Sequence, residues 1–201
     1  MKLFYSPGAC SLSPHIVLRE VGIPYQLEKV DLKTHTTAGG ADFYSINSKG
    51  YVPALQLDDG RVLTEGPAIV QYLADGNPDS KLAPAGGTFE RAQLQEWLNY
   101  VSTELHKSLG ALFNPTLAAG VKESTLNAVQ KKFDYLAKQL DGKKFLLGDS
   151  FSVADAYLFV ILRWTHLFKI DLGKWPALQD YMARVAARPS VQVSLTEEGL
   201  S

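Results

Sequence analysis

Apolar and polar positions along the first 80 residues predict strands and helices in turn. Residues 2–5 form a short strand, which a Ser-Pro-Gly run ends. A helix follows, begun by Ser11 or Ser13 with Pro14 in its first turn and ended at Gly22. The stretch from residue 34 to residue 48 is polar and is expected to be irregular, with a weak helix at most. The other predicted elements of this half are strands over residues 25–30, 52–57 and 61–64 and a helix over residues 67–74.

Helical periodicity governs the rest of the chain. A turn-rich connection over residues 76–87 precedes it, so we predict two domains, residues 1–80 and 87–201. Ser152 and Asp155 have the spacing of a capping box at the start of a helix. The predicted helices cover residues 89–112, 122–140, 152–167 and 176–187, with a short last one opened by Pro189. This order predicts an α/β domain followed by an all-helical bundle.

The composition excludes several classes of function. The 20 Lys and Arg residues balance 21 Asp and Glu residues, whereas a nucleic-acid-binding surface needs a basic surplus. The apolar stretch at residues 156–162 is too short to span a bilayer. The first residues lack the apolar region of a secretory signal. We therefore predict no nucleic-acid partner, no membrane partner and a cytoplasmic location.

The histidine and glycine patterns argue against a metal or a nucleotide cofactor. The chain contains no G-x-x-x-x-G-K-[ST], G-x-G-x-x-G or H-E-x-x-H motif. No spacing suited to a metal site with other ligands occurs among the histidines, which are His15, His35, His106 and His166. We predict no metal and no tightly bound cofactor.

Cys10 is the only cysteine of the chain, so it cannot form an internal disulfide. It precedes the first predicted helix, where unpaired N–H groups and the helix dipole favour the thiolate, which is the reactive form. A lone cysteine is also often a small buried apolar residue, and position alone leaves both interpretations open. The run Cys10-Ser11-Leu12-Ser13 offers no second cysteine, so an outside thiol must resolve any mixed disulfide formed there.

Two further positions suit the binding of a peptide. A cis bond between Val52 and Pro53 would turn the Val52 backbone outward, where an extended peptide can pair with it. A trans proline on an edge strand is the ordinary alternative. Gly66 opens a helix whose N-terminus offers N–H groups to a carboxylate, and Glu65 adds a negative charge that suits an ammonium group. The alternative for Glu65 is stabilisation of the helix N-terminus alone.

A polar strip runs along the predicted helix over residues 89–112. Its members are spaced by four, three and four residues and so share one face: Asn99, Thr103, His106 and Gly110. Because the other positions of this helix are largely apolar, the strip predicts a cleft. A histidine on an ordinary exposed face is the alternative.

Taken together and in this order, the motifs resemble the cytosolic glutathione transferase family. The matching runs are Tyr5-Ser6-Pro7-Gly8-Ala9-Cys10-Ser11, Val52-Pro53-Ala54-Leu55, Thr64-Glu65-Gly66, Ser152-Val153-Ala154-Asp155, Trp175-Pro176-Ala177-Leu178 and Arg188-Pro189-Ser190-Val191. Cys10 together with Glu104-Leu105-His106-Lys107 is similar to the bacterial beta class. The resemblance implies a thioredoxin-like first domain with a cis Pro53, and a homodimer whose interface includes residues 89–112.

The resemblance also implies a site for glutathione as cosubstrate. Val52 would pair with the cysteinyl backbone of glutathione, and Glu65 and Gly66 would hold its γ-glutamyl end. Cys10 would lie beside the glutathione sulfur and form a mixed disulfide with it. His106 would hydrogen-bond near that sulfur. The remaining contacts, some of them from a partner subunit, would come from Asn99, Thr103, Glu104 and Lys107.

Two residues depart from the family pattern. His35 stands where the beta class often has Lys, near the glycyl carboxylate of glutathione, which predicts a weaker and pH-dependent contact. Gly66 replaces a frequent Ser, so only a backbone N–H remains there. Phe113 and Trp164 are candidates for the electrophile pocket, with plain core packing as the alternative.

The implied function is conjugation of reduced glutathione to small hydrophobic electrophiles. One alternative is glutathione-dependent thiol–disulfide or peroxidase chemistry at Cys10. The other is a non-catalytic protein that binds glutathione or another ligand.

Overall fold

The computed structural model describes residues 1–200, and its strands pair into one sheet. The strands are β1 (Lys2–Tyr5), β2 (Gln26–Asp31), β3 (Thr36–Thr37), β4 (Ala54–Gln56) and β5 (Val62–Thr64). Their order in the sheet is β3-β2-β1-β4-β5. Strand β1 is parallel to β2 and antiparallel to β4, with Leu3 opposite both Leu27 and Leu55. The parallel pair requires a crossover, and the first helix supplies it.

The helices follow the predicted order closely. They are α1 (Leu12–Val21), α2 (Gly66–Asp75), α3 (Phe89–Tyr100), α4 (Lys107–Ala111), α5 (Ala119–Leu140), α6 (Val153–Leu167), α7 (Pro176–Ala186) and α8 (Pro189–Glu197). Short 3-10 turns cover Phe43–Ser45, Pro78–Ser80 and Leu172–Lys174.

The first of two compact units contains residues 1–83 together with residues 187–200. Its apolar core includes the buried residues Phe4, Val30, Phe43, Val52 and Ala54. Helix α1 buries its side chains from Leu12 to Leu18 and packs against both α2 and α8. Helix α8 therefore groups with the α/β half of the chain, although we predicted it within the helical domain of residues 87–201. The reason is its contact with α1, which no local pattern reveals.

The second unit contains residues 84–186 and is helical. Helix α6 is its centre, because its side chains are buried without interruption from Val153 to Leu162, as expected for a helix that is apolar on every side. Helix α5 is amphipathic and buries only one stripe, formed by Val129, Phe133, Leu136 and Leu140. Among residues 1–200, no helix is both long enough and apolar enough to cross a membrane.

Two local predictions differ from the structure. The stretch expected to be irregular contains β3 and the turn at Phe43–Ser45. The helix expected to run regularly over residues 89–112 contains a π-helical segment, Val101–His106, between α3 and α4. A π segment frees a backbone carbonyl from its ordinary partner, and Lys132 of α5 donates to the Glu104 carbonyl at 2.9 Å. A hydrogen bond from so distant a residue leaves no trace in local periodicity.

The predicted capping box at the start of α6 is confirmed. The Ser152 N–H donates to the buried Asp155 carboxylate at 2.9 Å, and the Ser152 hydroxyl donates to it at 2.7 Å. The same carboxylate accepts from the Leu146 N–H at 2.9 Å and from the Tyr181 hydroxyl at 3.2 Å. Asp155 therefore joins α6 to the loop before it and to α7.

We expect Asp155→Ala to lower the free energy of unfolding by about 3 kcal/mol, because several buried donors lose their acceptor together. Urea denaturation of both proteins measures this loss. Asp149→Ala is the matched control, because the Asp149 side chain is 85% exposed and pairs only at the surface with Lys144. Equal stability of the Asp155→Ala variant and the wild type would contradict the structural role.

Candidate functional site

The Cys10 loop, which we define as residues 6–11, joins β1 to α1. Ser11 closes this loop, since its hydroxyl oxygen accepts from the Ser6 N–H at 3.1 Å and its hydroxyl donates to the Ser6 carbonyl at 3.2 Å. The Cys10 thiol donates to the Val52 carbonyl at 3.4 Å. The loop therefore brings the only thiol of the chain to the residue that precedes Pro53.

The sequence left two interpretations of Cys10 open, a helix-end thiolate and a small buried residue. Burial, which is the largest cause, and the negative charge of Glu65 together raise the pKa of the Cys10 thiol to about 12. The backbone N–H groups of Cys10 and Ser11 lower the pKa, as a helix N-terminus should, but desolvation is the larger effect. Cys10 with this pKa is a neutral thiol at pH 7, which agrees with the buried residue of the two interpretations.

The peptide bond between Val52 and Pro53 is cis, as the resemblance implied. Both residues are buried, and β4 begins directly after them at Ala54. Val52 belongs to the apolar core of the first unit. The backbone at Val52 is consequently held by packing on one side and by the Cys10 thiol on its carbonyl.

Glu65 and Gly66 lie at the N-terminus of α2. The N–H groups of Ala68 and Ile69 both donate to the Glu65 carbonyl at 3.0 Å, and Pro67 has no N–H. The Gly66 N–H is thus the one N–H group of the first turn that does not donate to the Glu65 carbonyl. Glu65 itself has a positive φ of 70°, and its side chain is exposed.

Lys49 is a residue of this region that sequence reasoning missed. Its ammonium group forms an ion pair with the Glu65 carboxylate and donates to the Thr64 hydroxyl at 2.8 Å. Lys49 lies in the polar stretch before Val52, where no motif distinguishes it from other exposed lysines. The pair places one positive and one negative group side by side at the start of α2.

His35 is held against Tyr44, with ring centroids 4.5 Å apart. Gly50 allows this stack, because a Cβ at Gly50 would lie only 2.6 Å from the Tyr44 ring. Within the described chain, the Nδ1 atom of His35 is buried without a hydrogen-bond partner. His35 therefore has a polar atom whose hydrogen bonding the first unit does not satisfy.

In the second unit, His106 ends the π-helical segment and meets an aromatic cluster. Its Nδ1 atom lies 2.5 Å from the hydroxyl of Tyr157, a buried residue of α6 that sequence reasoning did not identify. The His106 ring packs against Trp164 with centroids 4.9 Å apart, and Phe113 packs against Trp164 at 5.1 Å. The structure thus brings the two predicted pocket residues, Phe113 and Trp164, together with His106.

The other predicted residues of this helix are exposed, namely Asn99, Thr103, Glu104 and Lys107. The Thr103 hydroxyl donates to the Asn99 carbonyl at 3.0 Å. The Glu104 carboxylate pairs with Lys132 at 3.0 Å, and this hydrogen bond lowers the pKa of Glu104. Lys132 also donates to the Ser108 hydroxyl at 2.7 Å and so ties α5 to both sides of His106.

No group of three or more His, Cys, Asp or Glu side chains in the described part of the chain is arranged to hold a metal ion.

Two family models match the chain. Residues 8–75 match the N-terminal domain of glutathione S-transferase, and residues 94–189 match its C-terminal domain. Over 200 residues the chain is 46% identical to glutathione S-transferase GstA of Escherichia coli O157:H7, with 100% of both chains covered.

Solved structures of bacterial proteins are similar along the full length of the chain. BphK, a bacterial glutathione S-transferase solved as a ternary complex, is 55% identical with a TM-score of 0.98, and 100% of both chains is covered. The beta class glutathione S-transferase of Sphingomonas chungbukensis is 47% identical with a TM-score of 0.97 and the same coverage.

We expect Glu65→Gln to lower the pKa of Cys10, because it removes a negative charge that disfavours the thiolate. The rate of alkylation by iodoacetamide against pH reports this pKa, and Cys10 is the only possible thiol target. At pH 8, wild-type Cys10 should react at least about 100-fold more slowly than a free thiol, and Glu65→Gln should react faster than wild type.

Asp79→Asn serves as the matched control, because Asp79 is exposed in a different turn of the same unit. Wild-type alkylation as fast as that of a free thiol would instead favour the helix-end thiolate.

Proposed function

We infer the activity from the family: the chain belongs to the glutathione S-transferase family and conjugates reduced glutathione to hydrophobic electrophiles. The site assignment rests on one observation: the Cys10 thiol donates a hydrogen bond to the carbonyl of Val52, the residue before the cis Pro53. This contact puts a thiol next to a backbone position that can pair with an extended peptide.

We propose that the first unit holds glutathione by its backbone and its two ends. The cysteinyl backbone of glutathione pairs with Val52, and His35 faces the glycyl carboxylate. The γ-glutamyl end is a zwitterion, and the Lys49–Glu65 pair has complementary charges for it. Its ammonium group binds Glu65, while its carboxylate binds Lys49 and the Gly66 N–H.

The raised pKa of Cys10 favours conjugation over the redox alternative. Thiol–disulfide exchange needs a Cys10 thiolate to attack a glutathione disulfide and release a glutathione thiolate. At neutral pH a thiol with a pKa of about 12 is almost wholly protonated. A neutral Cys10 can instead donate its proton as a hydrogen bond to the glutathione thiolate. Mixed-disulfide formation at Cys10 remains the alternative activity.

In the helical unit, we place the electrophile pocket at the cluster of Phe113, Trp164 and Phe168. Phe113 is 50% exposed and contacts both aromatic partners edge-on, at 5.1 Å and 4.8 Å. A half-exposed ring that packs on the buried Trp164 suits a planar apolar ligand. His106 adjoins this cluster with its ring orientation set by Tyr157. We assign it the hydrogen bond near the glutathione sulfur on the family resemblance alone.

We further propose that the enzyme is a cytoplasmic homodimer. The exposed residues Asn99, Thr103, Glu104 and Lys107 complete a glutathione site in this proposal, some of them in the partner subunit. Their exposure in the single chain is compatible with that assignment.

Alanine substitutions at Cys10 and His106 distinguish a covalent role of Cys10 from a hydrogen bond donated by His106 near the glutathione sulfur. We expect Cys10→Ala to keep kcat/KM for a chlorodinitroaromatic within about threefold, and His106→Ala to lose about 10- to 100-fold. His166→Ala, an exposed histidine of α6, is the control. Collapse of Cys10→Ala would support a covalent role for Cys10. Glutathione binding without turnover in wild type would favour the non-catalytic alternative.

We expect Gly66→Ser to lower the KM for glutathione about two- to fivefold, because a hydroxyl there can donate to the γ-glutamyl carboxylate. The added Cβ fits, since its nearest neighbour is a Pro53 side-chain atom at 3.9 Å. Gly120→Ser in α5 is the matched control, because a Cβ there meets nothing within 4 Å. An unchanged KM in Gly66→Ser would contradict the proposal that the γ-glutamyl carboxylate binds at the N-terminus of α2.

A further inference from the structure

A buried carboxylate beyond α8 bridges helix α1 and the Cys10 loop. The Glu198 side chain has 0% exposure. Its Oε1 atom lies 2.9 Å from Nδ1 of His15 in α1, and its Oε2 atom accepts from the Gly8 N–H at 2.9 Å. One side chain near the end of the described residues thus hydrogen-bonds the backbone two positions before Cys10.

The same terminal segment also covers Gly8 with an apolar side chain. A Cβ at Gly8 would lie 3.6 Å and 3.7 Å from the two methyl groups of Leu200. Gly8 has a positive φ of 71°, which favours glycine. The turn of the Cys10 loop is therefore held by a charge-assisted hydrogen bond and by an apolar contact, and both come from the residues that follow α8.

His15 holds the buried Glu198 side chain from helix α1. The His15 ring is fully buried, and its Nε2 atom lies 2.9 Å from the Glu197 carboxylate and 3.2 Å from the Tyr25 hydroxyl. Arg19 forms an ion pair with Glu197. Glu198 therefore contacts α1 through one carboxylate oxygen and the Gly8 N–H through the other.

We propose that Glu198 is a positioning residue which, through Gly8, holds the Cys10 loop in the conformation that withdraws the Cys10 thiol from water. Release of Gly8 lets the loop move and exposes the thiol, and it disturbs the place where the glutathione sulfur binds. The effect on turnover rests on the proposed function. The effect on the reactivity of Cys10 does not.

The test compares Glu198→Gln with Glu197→Gln in the full chain. Both substitutions remove a carboxylate from His15, but only Glu198 bonds to Gly8. We expect Glu198→Gln to accelerate alkylation of Cys10 by iodoacetamide about fivefold or more and to shift its pH profile to lower pH, because the thiol regains water. We expect Glu197→Gln to stay within about twofold, since its carboxylate does not touch the loop. Each variant is measured at the same interval below its own Tm, which removes the effect of general destabilisation.

Leu200→Ala provides a second variant in case Glu198→Gln fails to fold, and it should accelerate alkylation about two- to threefold. Equal alkylation rates in Glu198→Gln and Glu197→Gln, or an unchanged rate in a folded Glu198→Gln, would overturn the proposal. Conjugation is assayed in parallel with a chlorodinitroaromatic. Faster alkylation in a protein that has no transferase activity would support the positioning role and count against the proposed function alone.

Discussion

Competition between burial and the helix N-terminus sets the protonation state of Cys10, the only thiol of the chain. The backbone N–H groups of Cys10 and Ser11 favour a thiolate, but desolvation and the charge of Glu65 outweigh them. Which effect on the pKa is larger depends on how far the loop covers the thiol, because the cost of desolvation falls steeply once water reaches a charged group. The state of Cys10 is therefore a property of the loop and of the contacts that hold it. Val52 provides one of these contacts and Glu198 holds the loop from the other side.

Features with local causes could be predicted from the sequence. The end of β1, the start of α1, the turn after β4 and the capping box of α6 depend on residues within a few positions of one another. The cis Pro53 was predictable only through the family resemblance, because most bonds before proline are trans. The exposed and buried stripes of α5 follow its hydrophobic pattern. These predictions locate Cys10, Val52, Glu65 and His106 on their elements.

Interactions between distant residues could not be predicted, and they decide what the site residues do. His15 and Glu198 are 183 positions apart, and His106 and Tyr157 are 51 positions apart. Lys132 supports the π-helical segment from a separate helix. Each pairing joins an ordinary polar residue to another through the fold, so neither partner stands out alone. The sequence left Cys10 open between a thiolate and a buried thiol for this reason, because the rest of the unit imposes the burial that raises its pKa.

In the proposed complex, backbone groups carry much of the recognition of glutathione. The family's frequent Ser and Lys are replaced by Gly66 and His35, so binding relies more on Val52 and the start of α2. Side-chain ligands can adjust their rotamers, whereas backbone donors are placed by the packing beneath them. Val52 and Phe43 share one apolar core, and the Phe43 N–H donates to the His35 carbonyl at 2.8 Å. A substitution that shifts this core would move two parts of the proposed glutathione site together. In the proposed complex, core packing in the first unit thus contributes to glutathione affinity as well as to stability.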